Sequence, residues 1–324
     1  MNKSTKFYGI DISKDVFDVT DQNENHYQFT NDFKGFKKFK KILDKNSHCV
    51  MEATGYYHYQ LAYYLFENGN KLSVENPLSV KRYIQMKLSK IKTDKSDSKL
   101  ICEYAKNVEL KQWNGNSKEV QECLQITRTL STYTIQRTMI KNKLHGESVL
   151  GEPSKAVVRS LKRSLKHLDK EMSNLEALLL ILVKEAHKDL FTRIKTIPGI
   201  GRKTAIILIV LTGGFERFSS ASELCSYAGL TPVIRQSGSS VKGRPRISKM
   251  GNQKLRNLLF MCSFTACKYN KACRDIYERL VAKGKSKKLA LIAVCNKLLK
   301  QAFAIAKSGL IFDKEYKSTL VKNL

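Results

Sequence analysis

The chain is short of acid. Its 324 residues carry 29 Asp+Glu against 58 Lys+Arg, a net charge of +29 spread along the whole length rather than gathered in one tail. That balance favours an extended polyanion-binding surface over a tethered basic arm, and it exceeds what solubility alone asks of small domains. CxxC pairs and histidines at zinc-finger spacing are also missing. The eight cysteines, Cys49, Cys102, Cys123, Cys225, Cys262, Cys267, Cys273 and Cys295, therefore read as small buried hydrophobes in a reducing cytosol, and no zinc site is implied. No run of about 18 apolar residues occurs and no long apolar core follows the first lysines, so neither a membrane span nor a signal peptide is expected. With 42% hydrophobic residues, the chain is long enough for two or three domains.

The first hundred residues alternate two periods. Lys6 to Ser13, Val16 to Asp21 and His26 to Thr30 read as three short strands of an antiparallel meander. Phe33 to Leu43 reads as a helix, His48 to Thr54 as a fourth strand, Tyr57 to Asn68 as a helix and Lys71 to Glu75 as a fifth strand. This is the element order of the ribonuclease-H-like fold, in which the first and fourth strands are neighbours, so Asp11 and Glu52 are expected side by side. After a basic stretch from Lys81 to Lys92, Thr93 predicts the N-cap of a helix running to about Ala105, with Asp94 and Asp97 on one face at i, i+3.

The middle of the chain follows a heptad. Cys123, Ile126, Leu130, Tyr133, Arg137, Ile140 and Leu144 recur at alternating steps of three and four, with Arg137 out of character. Beyond Gly151-Glu152-Pro153 the rhythm returns in Val158, Leu161, Leu165, Leu168, Met172, Leu175, Leu179, Leu182 and Ala186. Two long helices are predicted to form a coiled coil, with each other or across a dimer; ordinary amphipathic helices in a bundle are the plainer reading. The last third is mainly helical. Ile197-Pro198-Gly199-Ile200-Gly201, with Arg202 and Lys203 after it, resembles a helix-hairpin-helix turn able to hold a DNA phosphate, or else a tight turn made for packing. Ser220 with Glu223 reads as a capping box, residues 231–248 as a loop, and helices resume at Asn252 to Lys268, Lys271 to Ala282 and Lys287 to Lys307.

Acids on the ends of apolar runs in so basic a chain point to hard-cation ligands. Magnesium takes oxygen donors, and two such ions can activate the attacking oxygen and stabilise the leaving one in phosphodiester displacement. Asp11, Glu52, Asp94 and Asp97 would form that cluster. Each also has a plainer reading as a cap, turn or salt-bridge partner, hardest to sustain for Asp11 between Ile10 and Ile12 in a buried strand. Asp15, Asp18 and Asp21 read as solvated strand and turn residues. Gly-Ile-Asp opening a strand also begins sugar kinases of the actin-like fold, but those need glycine-rich phosphate loops, and none is present.

Gly9-Ile10-Asp11-Ile12-Ser13-Lys14, Glu52-Ala53-Thr54-Gly55 and Lys92-Thr93-Asp94-Lys95-Ser96-Asp97 recur in order with Pro198-Gly199-Ile200-Gly201, Ala228-Gly229-Leu230-Thr231-Pro232, Gln236-Ser237-Gly238 and Ile247-Ser248-Lys249-Met250-Gly251-Asn252 with Leu255-Arg256. In this order and spacing they resemble the DEDD insertion-sequence transposases, the insertion sequence one-ten family. The resemblance implies a RuvC-like N-terminal domain over residues 1–112, a coiled-coil linker over 113–188 and a C-terminal transposase domain over 189–324 carrying a nucleophilic serine. It makes Asp11, Glu52, Asp94 and Asp97 the magnesium ligands and Ser237 the nucleophile, with Ser239 and Ser240 still open as alternatives. Ser98 stands where the family usually has alanine. The resemblance further implies a noncoding bridge RNA, element ends and target DNA as partners, a dimer or tetramer joined through the coiled coil with its site composed between protomers, and a bacterial, nucleoid-associated location in the cytoplasm.

Serine and metal together make a coherent chemistry. A hydroxyl is a weak nucleophile until its pKa is lowered, and a phosphoserine link would conserve the energy of the broken DNA bond for religation. Lys242, Arg244, Arg246 and Lys249 crowd the serine loop, where with Arg202, Lys203 and Arg256 they are read as nucleic-acid contacts. A RuvC-like nuclease or resolvase using water needs no Ser237, and a structural DNA-binding protein needs none of the acids.

Overall fold

The structure, a computed structural model, describes residues 5–53, 55–88, 93–234, 236–237, 241–243 and 246–315. Its contacts divide the chain into two units, Met1–Asn116 and Ser117–Leu324.

In the first unit the alternating runs become β1 (Lys6–Ile12), β2 (Val16–Asp21), β3 (His26–Thr30), β4 (Ser47–Glu52) and β5 (Lys71–Glu75) of one sheet, in the order β3-β2-β1-β4-β5. β1 pairs antiparallel with β2 and parallel with β4, and β4 runs parallel to β5. The expected adjacency of the first and fourth strands is therefore present. One face of the sheet buries Tyr8, Ile10, Ile12, Phe17, Val19 and Met51 against Phe36 and Phe39 of α1 (Phe33–Lys40) and Leu61 and Leu65 of α2 (His58–Glu67). The opposite face packs Val50 on Val80 of α3 (Pro77–Met86) and on Ile101 and Ala105 of α4 (Asp94–Asn107). The start of the stretch read only as basic is thus α3, capped by Asn76, whose side chain accepts from the Leu78 amide, and opened by Pro77 at its first turn.

Gly9 sets how closely α4 lies on the sheet. A Cβ at Gly9 would stand 2.2 Å from the Cys102 backbone nitrogen and 2.3 Å from the Ser98 carbonyl oxygen. Contacts that short with backbone leave nothing flexible to move aside. Ser98, fully buried, adds a 2.7 Å hydrogen bond between its hydroxyl and that of Thr20 on β2. The departure from alanine at Ser98 therefore pins the helix to the sheet.

The second unit begins with α5 (Lys118–Val149) and α6 (Lys155–Lys195), which pack on each other as a hairpin. Arg137, the misfit of the seam, is ion-paired with Asp169 of α6. At the root of the hairpin Cys123, Ile126, Leu130, Leu179 and Val183 are buried in the core of the unit, whereas Tyr133, Ile140, Leu144, Val158, Leu161 and Leu165 remain only half-buried. His187 interrupts α6 with non-helical backbone angles (φ −143°, ψ 41°). The core itself surrounds α7 (Arg202–Thr212), whose residues from Thr204 to Thr212 are all buried, and is completed by α8 (Ala221–Tyr227), α9 (Gln253–Tyr269), α10 (Lys271–Ala282) and α11 (Lys287–Ser308). Among the described helices α11 alone is long and apolar enough to cross a membrane; here its Val294, Leu298, Leu299 and Ala302 are core residues. Residues 231–248, expected as a loop, include two short antiparallel ribbons: β6 (Pro232–Val233) with β9 (Arg246–Ile247), and β7 (Gln236–Ser237) with β8 (Val241–Lys242). Strands of two residues carry no legible period.

Replacing Gly9 by alanine is expected to lower the stability of the first unit by about 2–3 kcal/mol. Trp113, the sole tryptophan, packs on Tyr63 and Phe66 in that unit and reports its unfolding. The urea midpoint of Trp113 fluorescence should fall in Gly9→Ala and stay put in Gly146→Ala, where a Cβ meets nothing within 4 Å.

Candidate functional site

The polar ends of β1 and β4 and the start of α4 gather the acids. Asp11 and Glu52 follow the paired Ile10 and Met51 on neighbouring parallel strands. Asp94 and Asp97 occupy the first turn of α4, opened by a capping box in which the Ser96 amide donates to Thr93 Oγ1 (3.1 Å) and the Thr93 amide to Ser96 Oγ (2.8 Å). The positive end of the helix dipole favours carboxylates there. Burial, then the nearby charges of Asp97, Asp94 and Glu52, push the Asp11 carboxyl up to about 6. Asp11 therefore feels each of the other three acids. Among the described residues, however, no three His, Cys, Asp or Glu side chains stand close enough together to hold an ion.

The row of acids is longer than the four. Pairing registers align Gln28, Asp18 and Asp11 across β3, β2 and β1, and Glu52 with Glu75 across β4 and β5. Asp18, expected to be solvated, is 3% exposed; His26 Nε2 lies 2.7 Å from its carboxylate and Gln28 Nε2 donates to it at 3.3 Å. It is covered because α4 packs over the polar face of β2. Glu75 accepts from the buried Tyr104 hydroxyl at 3.1 Å, and burial together with Glu75 pushes that phenol up to about 12. Both flanking acids have side-chain donors of their own, while Asp11 draws on the amide of Ile12. The alternation Phe17-Asp18-Val19-Thr20 was the available signal for Asp18, since it puts Asp18 on the face opposite Phe17. For Glu75 the available signal was its place at the end of the expected fifth strand, Lys71 to Glu75.

The oxygen-only donor set of Asp11, Glu52, Asp94 and Asp97 fits a hard divalent cation such as magnesium and would suit zinc or copper poorly.

In the second unit Ser237 ends β7, paired with Val241, and Gln236 is paired with Lys242. Ser239, Ser240 and Arg244 lie outside the described residues, as do Thr54, Lys92 and Gly238 of the quoted motifs. Arg246 is exposed on β9, and Lys249 is exposed with left-handed backbone (φ 56°). Arg202 is exposed at the start of α7, but Lys203 is ion-paired with Glu176 and Arg256 donates to the Ala228 carbonyl at 2.9 Å. In the turn before α7, Gly199 has φ +105°, and a Cβ there would stand 2.7 Å from Ala266 Cβ of α9. Close packing accounts for that glycine.

Residues 8–150 match a DEDD family model described as a transposase, and residues 191–278 match the model of the transposase IS116/IS110/IS902 family. The chain is 31% identical over 326 residues to a pilin gene-inverting protein of Moraxella lacunata, an alignment covering 96% of this chain and 98% of the other. The chain belongs to the IS110 family of DEDD transposases. The transposase for insertion sequence element IS1111A of Coxiella burnetii is 24% identical, over 91% of this chain and 88% of its own. An IS110-family transposase is an enzyme of DNA transposition and recombination that cleaves and rejoins DNA.

The raised Asp11 carboxyl gives a pH signature. In metal-free buffer its penalty is absent below about pH 4, where Asp11 is protonated folded and unfolded alike, grows as pH rises, and is complete above about 6. Asp11→Asn should therefore melt at a higher temperature than wild type at pH 7.5, with the gap closing toward pH 4. A constant gap would mean that the stabilisation has another source.

Proposed function

We propose that this IS110-family chain cuts and rejoins the DNA of a mobile element through a serine nucleophile, Ser237, assisted by magnesium held by Asp11, Glu52, Asp94 and Asp97. The observation that carries the reading is that Asp11 on β1 feels the charges of Glu52 on β4 and of Asp94 and Asp97 on α4, in a chain whose family is named for such acids. The strand order β3-β2-β1-β4-β5, with only β2 antiparallel to its two neighbours, supports a ribonuclease-H-like, RuvC-like reading of the first unit. In the proposal the α5–α6 hairpin serves as the coiled-coil linker and the rest of the second unit as the transposase domain.

The bound cation would neutralise the scissile phosphate and lower the pKa of the attacking hydroxyl. Asp11 and Glu52, on neighbouring strands, would orient it from the sheet, and Asp94 and Asp97 from the first turn of α4. Ser237 would lose its proton and form an Oγ–P bond as the P–O bond to the leaving sugar oxygen breaks, that oxygen taking up a proton. A second DNA hydroxyl then attacks the phosphoserine and releases the serine, so strands exchange without ATP. Lys242, Arg246 and Lys249 would clamp the backbone. The name pilin gene-inverting protein, borne by relatives in Moraxella lacunata and Moraxella bovis, supports exchange over simple cutting, since inversion requires rejoining. The net charge of +29 supports a nucleic-acid cargo, for which we propose element DNA with a bridge RNA, carried by a dimer or tetramer in the cytoplasm.

Magnesium should raise the melting temperature of wild type and leave that of Asp11→Asn unchanged, whatever the activity of either. With element-end DNA, wild type should form a denaturation-resistant adduct that disappears in Ser237→Ala and in Glu52→Gln. Nicking without an adduct would return the reading to a nuclease using water, and an adduct persisting in Ser237→Ala would move the nucleophile to Ser239 or Ser240.

If the RNA is a true partner, sequencing the nucleic acid that copurifies with the chain should recover one noncoding transcript of the element. A preparation free of specific RNA would favour direct reading of DNA by the protein.

A further inference from the structure

We propose that one flank of the hairpin arm is a binding surface for the phosphate backbone of duplex DNA, separate from the acids and the serine loop. On α6, Lys155, Arg159, Lys162, Lys166 and Lys170 follow one another at steps of four, three, four and four, the spacing of a single helical face, and Arg163 stands beside them. All six are exposed. At 1.5 Å per residue the row is about 22 Å long, on a helix that keeps helical geometry throughout this stretch.

Two other cations of the hairpin have acidic partners, Arg137 with Asp169 and Lys143 with Glu147, whereas among the described residues none of the six is ion-paired. Like charges at i, i+4 destabilise a helix, so the row is a standing electrostatic strain that a polyanion would relieve. A shallow groove of about 520 Å³ opens along it, lined by Lys155, Arg159, Lys162 and Lys166 together with Pro153 and Val158.

The chemistry of the row selects a duplex. Proteins that hold single strands combine positive charge with aromatic platforms for the bases, and residues 155–170 contain no Phe, Tyr or Trp. A rigid line of point charges suits the fixed phosphate rails of a duplex, with no base reading and hence no sequence preference. The inference takes from the family only that the chain acts on DNA.

The test is the salt dependence of binding of the full chain to a random-sequence DNA duplex, in EDTA so that no cleavage intervenes. Each phosphate contact contributes about 0.9 to the slope of log K against log salt on a duplex. The variant Arg159→Gln/Lys162→Gln/Lys166→Gln/Lys170→Gln should therefore lose about 3.6 of the wild-type slope. The charge-keeping variant Lys162→Arg/Lys166→Arg/Lys170→Arg should retain it, which separates charge from folding, and circular dichroism should be unchanged in both. An unchanged slope in the glutamine variant would overturn the proposal. So would an equal loss on removing the four lysines Lys283, Lys285, Lys287 and Lys288 near α11, which would mean a diffuse field, or a loss confined to single-stranded DNA or duplex RNA.

Discussion

The first unit depends on a close approach that only glycine allows. With no side chain at Gly9, the backbone of α4 comes down onto β1, and the Thr20–Ser98 hydrogen bond fixes its height over β2. The acids at the start of the helix reach those at the strand ends only because the helix lies this low. A larger residue would lift α4 and separate Asp94 and Asp97 from Asp11 and Glu52. The seat of the helix on the sheet thus follows from one missing methyl group.

Electrostatics then sorts the acids of the sheet. At the flanks, Asp18 is held by His26 and Gln28, and Glu75 by Tyr104, so their charges are answered within the protein. In the centre, Asp11 is raised by burial and by its three acidic neighbours. Asp11 is therefore the point of the row where a cation has most to offer. In a chain with twice as many basic residues as acidic ones, that point stands out as a local reversal of sign.

Much of this was legible in the sequence because burial writes a period. The five strands fall within two residues of the alternating runs, and the Thr93 cap is where a hydroxyl ahead of two acids placed it. What escaped was structure without a period. Pro77–Met86 was hidden behind its basic residues, although the Asn76-Pro77 start was a usable signal. The ribbons around Ser237 are two residues long, too short for alternation to register. Asp18 was misread because a polar strand face looks solvated until a helix covers it, and that covering is a tertiary event. Arg137 looked like a flaw in the seam because its partner Asp169 is 32 positions away.

The hairpin is clamped unevenly. Its root is held by Cys123, Ile126, Leu130, Leu179 and Val183 inside the core, while at its tip Val149 and Leu150 are each 72% exposed. Resistance to local opening follows buried contact, so stiffness falls from root to tip. The arm is in effect a cantilever: a load at its free end is borne as bending toward the root, and the nearest break in the backbone that could yield to it is the non-helical residue His187.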